Sequence, residues 1–366
     1  MGVVKSNIPQ NGGKKKDPPT ATGEVLTVAA LYHFAHVTDV NSLQKELLQL
    51  CLSQRIRGTL LVAGEGINGT IAGPATGIKE VVDYVKNVPG FAQTDVKYSS
   101  STGAGFHHMR IKIKPEIVTM GKPNIDPNLA AGTYVDPQDW NELIKREDVL
   151  VIDTRNAYEV HIGKFQGAID PKTETFKDFP AWADKFVAEK GICSEPQSSS
   201  LEIAPTSCET SSSDILPTAV ASRSVPKAVA MYCTGGIRCE KSTVYMKQLG
   251  VQEVYHLKGG ILKYLEEVPE KESLWEGECF VFDERVALKT GLQAGSYTRC
   301  FACKMPLSAA DCAAENPRYE EGVSCTHCID QQTPAQQQRF RERHLQVKLA
   351  NERGEQHVGQ HLPTVH

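Results

Sequence analysis

The sequence predicts a multidomain protein, α+β in its first part and α/β in its middle, closed by a small cysteine-rich module. Three observations predict it. Residues 24–120 run strand–helix–strand–strand–helix–strand, the split β-α-β order of a ferredoxin-like domain. Residues 134–272 alternate short apolar strands with helices, the pattern of a mostly parallel sheet covered on both faces. Beyond residue 272 this rhythm stops, and paired cysteines appear in residues 273–330.

The elements follow in order. Residues 1–23 have no periodicity and read as a disordered tail. LTVAALYHF, after Val25, is an apolar run fit for a buried strand. Asp39 caps a helix that places Leu43, Leu47, Leu50 and Cys51 on one face. TLLVAGEGINGTIAG reads as two strands around a Gly/Asn-rich turn. Thr76 opens a second helix, with Ile78, Val81, Val82 and Val85 at i, i+3, i+4 and i+7. A last strand region holds Val96 to Tyr98 and Met109 to Ile113. The link GKPNIDPNLAAG separates the two units. In the second unit VLVID, AVAMY and EVYHL are strands, and Phe179 to Lys190, Glu240 to Gln248 and Ile261 to Glu267 are helices. Residues 194–225, rich in serine and ended by Pro226, read as a disordered insertion. The polar tail 331–366 is rich in Gln and Arg and suits an exposed helix.

Composition bounds the function. Of 366 residues, 40 are Lys or Arg and 44 are Asp or Glu, a net charge of -4. That balance excludes a histone-like nucleic-acid binder, though not a local basic groove. No apolar run reaches the roughly 18–20 residues of a membrane helix. The first residues lack the apolar core of a signal peptide, so a cytoplasmic protein is expected. Its 11 cysteines are then expected as thiols, thiolates or metal ligands rather than disulfides. Met1-Gly2-x-x-x-Ser6 matches the myristoylation pattern, with Lys14, Lys15 and Lys16 behind it. Weak membrane association through Gly2 is therefore the alternative to a purely cytosolic chain.

The most informative stretch is AVAMYCTGGIRCEKSTVYMKQLG. Cys233 stands at the tip of a buried strand, where ligands bind in open α/β sheets. Thr234, Gly235, Gly236, Ile237 and Arg238 follow, and a helix is expected to begin near Cys239. The paired glycines let successive N–H groups converge into an anion nest in front of a helix N-terminus. Nest, helix end and the Arg238 charge would together hold Cys233 as a nucleophilic thiolate. The plainer role, a buried strand cysteine, does not account for Gly-Gly and Arg at this place. Only four residues lie between Cys233 and Arg238, against five in cysteine phosphatases, so the cradle suits a persulfide sulfur better than a phosphoryl group. Cys239 reads equally as a resolving thiol or as a small residue packed under the loop.

Other motifs carry less. Gly64-x-Gly66-x-x-Gly69 matches a dinucleotide fingerprint in letters, but a strand-like run follows it where a helix is required, so nicotinamide binding is rejected. Glu65 and Asn68 on this turn are candidates for a nucleotide or RNA contact, or for a purely structural role. No flavin, haem or facial-triad iron motif is found. Cys300-x2-Cys303 and Cys325-x2-Cys328 form two knuckles able to close a structural zinc site, with Cys312 and His327 as spare ligands. The competing use is redox, one pair resolving a Cys233 persulfide. Arg110, Lys112 and Lys114 alternate along a strand and so share a face, with Lys97, His107 and His108 near in sequence. They are the candidates for phosphate contacts; the alternative is an ordinary solvated face.

VLVIDTRNAYEVHIGKFQGAI, the CTGGIR loop and VYHLKGG together resemble a rhodanese domain. Asp153 and Arg155 match its D-x-R, Glu159 and His161-Ile162-Gly163 its next helix, and Gly167-Ala168-Ile169 its following turn. The persulfide-carrying cysteine of that family falls on Cys233, and Asp153 with Arg155 would support the loop by an ion pair. LYHFAHV, GEGINGTIAG, CTGGIRCEKS and CFVFDERVAL extend the resemblance, over Val25 to Cys328, to the bacterial tRNA uridine hydroxylase family. That resemblance implies a ferredoxin-like (acylphosphatase-like) domain before the rhodanese domain, tRNA as partner, and oxygen-dependent formation of 5-hydroxyuridine at the wobble position. The basic N-terminal tail, the serine-rich insertion and the Gln-rich end depart from the bacterial pattern and imply a eukaryotic relative. Two other functions stand beside it. One is a sulfurtransferase that takes sulfane sulfur from thiosulfate or a donor protein. The other is a non-enzymatic zinc-knuckle binding module, against which an intact Cys233 and Arg238 count.

Overall fold

A computed structural model describes residues 25–101, 106, 108–122, 124–192, 227–283 and 285–353. The expected disordered tail, the insertion 194–225, the Gly2 lipidation pattern and His107 lie outside the described residues.

The first unit comprises β1 (Leu26–Phe34), α1 (Val40–Ser53), β2 (Arg57–Ala63), β3 (Gly66–Gly73), α2 (Ala75–Asn87) and β4 (Asp95–Ser101). Its strands lie in the order β4-β1-β3-β2, each antiparallel to its neighbour, as a split β-α-β unit requires. A fifth strand, β5 (Met109–Ile113), joins β2 in parallel, so the last strand region of the sequence is two strands on opposite edges. Asp39 caps α1, accepting the Ser42 amide at 2.9 Å. Leu43, Leu47 and Cys51 are buried, but Leu50, expected on the same face, sits at its margin and is only half-buried. α2 begins one residue before Thr76, because Pro74 takes the cap position with no side-chain bond. Both helices cover one face of the sheet, packing on Ala29, Leu31, Leu60, Val62, Ile67, Ile71 and Ile111. Strand alternation turns Tyr32 and Phe34 to the other face. There Phe34, Ala63 and Ile117 meet Tyr32, Val118 and Ile237 of the second unit's helix.

The second unit runs α3 (Pro127–Ala130), β6 (Thr133–Val135), α4 (Pro137–Ile144), β7 (Val149–Asp153), α5 (Ala157–Val160), β8 (Gly163–Phe165), α6 (Phe179–Lys190), β9 (Ala228–Tyr232), α7 (Ile237–Gln248), β10 (Glu253–Leu257) and α8 (Gly260–Glu267). Its main sheet has the order β6-β10-β9-β7 and is parallel throughout. α4 and α8 cover one face with Trp140, Leu143, Ile261 and Tyr264. α6 and α7 cover the other with Phe179, Phe186, Val244 and Met246. Every residue of the central β9 is therefore buried, which is why its sequence is continuously apolar.

The C-terminal segment is tied to this unit. β11 (Trp275–Gly277) pairs with β8, and β12 (Cys279–Phe280) forms a ribbon with β13 (Ala287–Leu288). β14 (Thr298–Arg299) and β15 (Pro306–Leu307) frame the cysteine module, and α9 (Pro334–Glu352) is the mostly exposed helix expected of the polar tail.

Candidate active site

β9 ends on Cys233, and the chain turns at once into α7. The helix starts at Ile237, two residues before the start expected near Cys239, because Gly236 adopts φ 103° and serves as its cap. That turn brings the Gly236 N–H to 3.1 Å from Cys233 Sγ. A second helix end fixes the loop from below. The Ile261 and Leu262 amides of α8 donate to the Cys233 and Thr234 carbonyls at 3.0 and 3.1 Å. Gly260 permits this approach: at φ +66°, a Cβ there would lie 2.5 Å from the Cys233 carbonyl oxygen.

Arg238 adds its positive charge beside the sulfur loop, as the sequence suggests. It spends its fork on Glu159, donating to Oε2 and Oε1 at 2.6 and 2.8 Å. Glu159 is wholly buried and simultaneously caps α5, accepting the Asn156 amide at 3.0 Å. In the sequence Glu159 stands out only as a family match. Its contact with Arg238 spans 79 residues and leaves no local signal. Asp153 and Arg155 form a fully buried ion pair at 2.6 Å, and Arg155 also donates to the Glu159 and Gly163 carbonyls. They brace the end of β7 and do not touch the sulfur loop with their side chains. Thr154 between them makes the contact, donating to the Tyr232 carbonyl at 2.9 Å and meeting Cys239 Sγ at 3.6 Å.

Two buried thiols thus stand together in opposite states. Burial alone pushes Cys233 up, but the Cys239 S–H, the Arg238 charge and the Arg238 and Gly236 amides bring it down to about 5. Burial and the neighbouring Cys233 thiolate push Cys239 well above the usual thiol range. At neutral pH the pair is a thiolate accepting from a thiol.

Above the loop lies a cavity of about 310 Å³. Cys233, Thr234, Gly235 and Arg238 form its floor; Ala30, Tyr32, Asn68, Thr70, Lys97 and Ser99 of the first sheet form its roof. Val281, Phe282, Asp283 and Arg285 of the C-terminal segment make a third wall. Lys97 Nζ ties roof to floor, donating to the Gly235 carbonyl at 3.0 Å, and Arg285 ties wall to roof through Ser99 Oγ at 2.8 Å.

The Gly64–Gly69 turn leads into β3, with no helix behind it. Glu65 accepts the Ile117 amide at 2.7 Å and pairs with Lys241 at 2.8 Å, so it joins the two units; Asn68 lines the cavity. Arg110, Lys112 and Lys114 are exposed on and just beyond β5. Strand register sets Arg110 opposite Thr59, Thr59 opposite Thr70, Thr70 opposite Ala30 and Ala30 opposite Lys97. Directly paired residues share a face. The basic residues therefore stand on the face that roofs the cavity, two strands from Thr70 and four from Lys97, the latter about 19 Å at the usual strand spacing.

Cys300, Cys303, Cys325 and Cys328 converge, their sulfurs all within 4.8 Å of one another. Three of the pairs are 3.6, 3.7 and 3.9 Å apart. Cys312 and His327 stand outside this group among the described residues, Cys312 against Thr298 Oγ1 at 3.5 Å.

Residues 26–117 match the family described as a UPF0176 acylphosphatase like domain, and residues 136–267 the rhodanese-like domain. A protein of Agrobacterium fabrum named tRNA uridine(34) hydroxylase is 48% identical over 341 residues, 93% of this chain and 97% of its own. Proteins of the same name from Mesorhizobium japonicum and Rhizobium leguminosarum are each 48% identical, over 93% and 94% of this chain and 99% of their own.

Proposed function

The chain belongs to the tRNA uridine(34) hydroxylase family, and we propose that it hydroxylates the wobble uridine of tRNA with Cys233 as the reacting thiolate. One observation carries this reading: a thiolate is held at the floor of a walled cavity whose volume falls at the small end of ligand sites, about 300–1,000 Å³. That space suits a single flipped-out base, which is how enzymes reach the atoms of a nucleotide. Arg238 keeps Glu159 from repelling the thiolate, and the Gly236 amide and Cys239 thiol hold negative charge on the sulfur. Asn68, Thr70 and Ser99 offer hydrogen bonds to a base from above.

The tRNA backbone is assigned to the open face of the first sheet. Lys97 stands at the cavity and Arg110, Lys112 and Lys114 at the far edge, a span that suits phosphates about three nucleotides apart on a splayed strand. Cys300, Cys303, Cys325 and Cys328 fit zinc. A tetrahedron with Zn–S of about 2.3 Å has edges of about 3.8 Å, close to the three sulfur separations of 3.6, 3.7 and 3.9 Å. Zinc there would staple the module and supply no chemistry to Cys233. No helix among the described residues is long and apolar enough to cross a membrane.

The sulfurtransferase reading keeps one support, the four-residue spacing of a cradle fit for a persulfide. The test separates the two. Purified protein is incubated in air with tRNA carrying unmodified uridine at the wobble position, and nucleosides are analysed by mass spectrometry. The expected result is a gain of one oxygen at that uridine, absent with Cys233→Ser. A protein that moves sulfur from thiosulfate to a thiol and leaves the uridine unchanged overturns the assignment.

A further inference from the structure

Glu240 lies in the first turn of α7, beside Cys239, and is 6% exposed. Its Oε1 accepts the Tyr32 hydroxyl at 3.1 Å and its Oε2 the Tyr134 hydroxyl at 2.7 Å. Among the described residues no Lys, Arg or His forms an ion pair with it; its neighbour Lys241 is turned to Glu65 and Glu116, 2.8 Å from each. A buried carboxylate without a cation is costly. An amide would hold both tyrosines as well, so docking alone does not call for an acid here.

The two tyrosines lead to different places. Tyr32 lines the cavity, with its hydroxyl so close over the sulfur loop that a Cβ on Gly236 would lie 2.8 Å from it. Tyr134, on β6, is 50% exposed. An unbroken hydrogen-bonded line therefore runs from the cavity wall through a buried carboxyl to the protein surface.

We infer that Tyr32, Glu240 and Tyr134 form a proton relay that serves the cavity, with Glu240 as its reservoir. The inference rests on the hydroxylase reading for the source of the proton. With molecular oxygen as oxidant and an external thiol as two-electron donor, oxygen is added to the ring carbon, and restoring the ring double bond then expels that carbon's hydrogen as a proton. Tyr32 Oη takes it as its own proton passes to Glu240 Oε1. The neutral carboxyl then turns and gives its proton to Tyr134 Oη, as that hydroxyl releases its own to water. Each group ends as it began, one proton has left, and no electron moves along the line. Tyr32 is the member that would meet substrate; Glu240 and Tyr134 act through it.

The surroundings suit the task. Burial, with the Cys233 and Asp95 charges against it, raises Glu240 to about 7 despite the two tyrosyl donors. The groups facing it are Tyr32 and Asp95 from the first sheet, Cys233 from the loop, Cys239 from α7 itself, and Tyr134 from β6. Lys97 is held by Asp95 at 2.7 Å, and His256, its ring tilted against Tyr134, is lowered by burial to about 4 and stays neutral. A carboxyl that ionises near 7 accepts and releases protons at neutral pH with little loss either way.

The experiment compares full-length wild type with Glu240→Gln and Tyr134→Phe. Hydroxylation of tRNA should rise with pH through about 7 in the wild type, as Glu240 becomes able to accept. Glu240→Gln should lose that limb and about a hundredfold in kcat, with KM nearly unchanged. Tyr134→Phe should lower kcat less and keep the limb. A Glu240→Gln protein with wild-type kcat and pH limb overturns the relay and leaves Glu240 a docking peg. Without tRNA, the rate of Cys233 alkylation by iodoacetamide should show a second inflection near pH 7 in the wild type and none in Glu240→Gln. Absence of that inflection overturns the relay even where hydroxylation itself fails, so the two readings fall separately.

Discussion

Cys233 and Cys239 are both fully buried, yet burial decides the state of only one of them. For Cys239 nothing outweighs desolvation, so it stays a thiol; for Cys233 an S–H, a guanidinium and two amides do. Iodoacetamide should therefore modify Cys233 with a rate half-maximal near pH 5 rather than near the ordinary thiol value, and Cys239 hardly at all. A thiolate fraction that develops only above pH 8 would contradict this state. Arg238→Ala strips Glu159 of its partner inside the protein. An orphaned buried charge costs about 3–5 kcal/mol, read as a lower urea midpoint, and the Cys233 profile should move to higher pH. Burial pushes Glu159 up, but Arg238 holds it below the usual carboxylate value. Its depressed pKa contributes stability above the unfolded carboxylate value that is lost as pH falls through the folded one. The Arg238→Ala deficit should thus shrink in acid. This scale also marks where sequence reading stops. Cys233, Gly235, Gly236 and Arg238 are near neighbours in the chain, so their geometry follows from a strand, two glycines and a helix. Glu159 stands out only as a family match, and nothing near it announces Arg238.

At the scale of elements, α7 is hard to read in the sequence because it has no exposed face over its first turns. Arg238 to Met246 are all buried, charged residues included, between the parallel sheet and the first unit. A period of 3.6 cannot emerge from a helix covered all round. β6, three residues long, shows no alternation either, and β5 pairs in parallel with β2, a choice its own residues do not encode. By contrast α2 announces itself, since Ile78, Val81, Val82 and Val85 face a core and most of the rest face water. Lys241 is the tie between these elements, held by Glu65 of the β2–β3 turn and by Glu116 after β5. Lys241→Met should cost about 2 kcal/mol, below the range for a fully buried pair because both acids keep some exposure. Burial raises Glu116, but the Lys241 bond and the Met120 and Gly121 amides hold it below its usual value. The deficit should therefore narrow as the pH falls, and Glu116→Gln in the Lys241→Met background should cost little more. Equal deficits at pH 7 and at pH 4 would show that Lys241 acts by packing alone. The β5 stripe offers a separate check. Neutralising Arg110, Lys112 and Lys114 together should weaken tRNA binding and lower its salt slope by about 0.7 for each phosphate they no longer neutralise, leaving Cys233 alkylation unchanged. An unaltered salt slope would leave these residues an ordinary solvated face.

At the scale of the whole molecule, three stretches of chain that are remote in sequence build one cavity. The first sheet roofs it, the sulfur loop floors it, and Val281, Phe282, Asp283 and Arg285 wall it. The floor and its chemistry are legible in the sequence; the roof and wall are not, because their contacts are set by how units dock rather than by any local pattern. None of the four clustered cysteines lines that cavity, so loss of their metal should be felt selectively. The purified protein should carry about one zinc ion per chain, and chelation should loosen the module while leaving the Cys233 alkylation profile in place. Protein prepared under reducing conditions with no metal by elemental analysis would remove the zinc assignment. The parallel pairing of β7 with β9 has a further consequence, in time rather than in space. Thr154 and Tyr232, joined at the meeting of these strands, are 78 residues apart, and residues 193–226 account for nearly half of that span. Closing the longer loop costs about 0.5 kcal/mol more than closing one without them, a small toll on the finished protein. Pairing over such a span is nevertheless slow beside the hairpin of β2 and β3. α8, whose first amides meet the Cys233 and Thr234 carbonyls, follows β10 in the chain, so the sulfur loop is expected to be completed late, and until then the sulfur should behave as an ordinary thiol. Its reactivity appears only when the last central strand is seated, and a half-made chain carries no exposed thiolate for an oxidant to find.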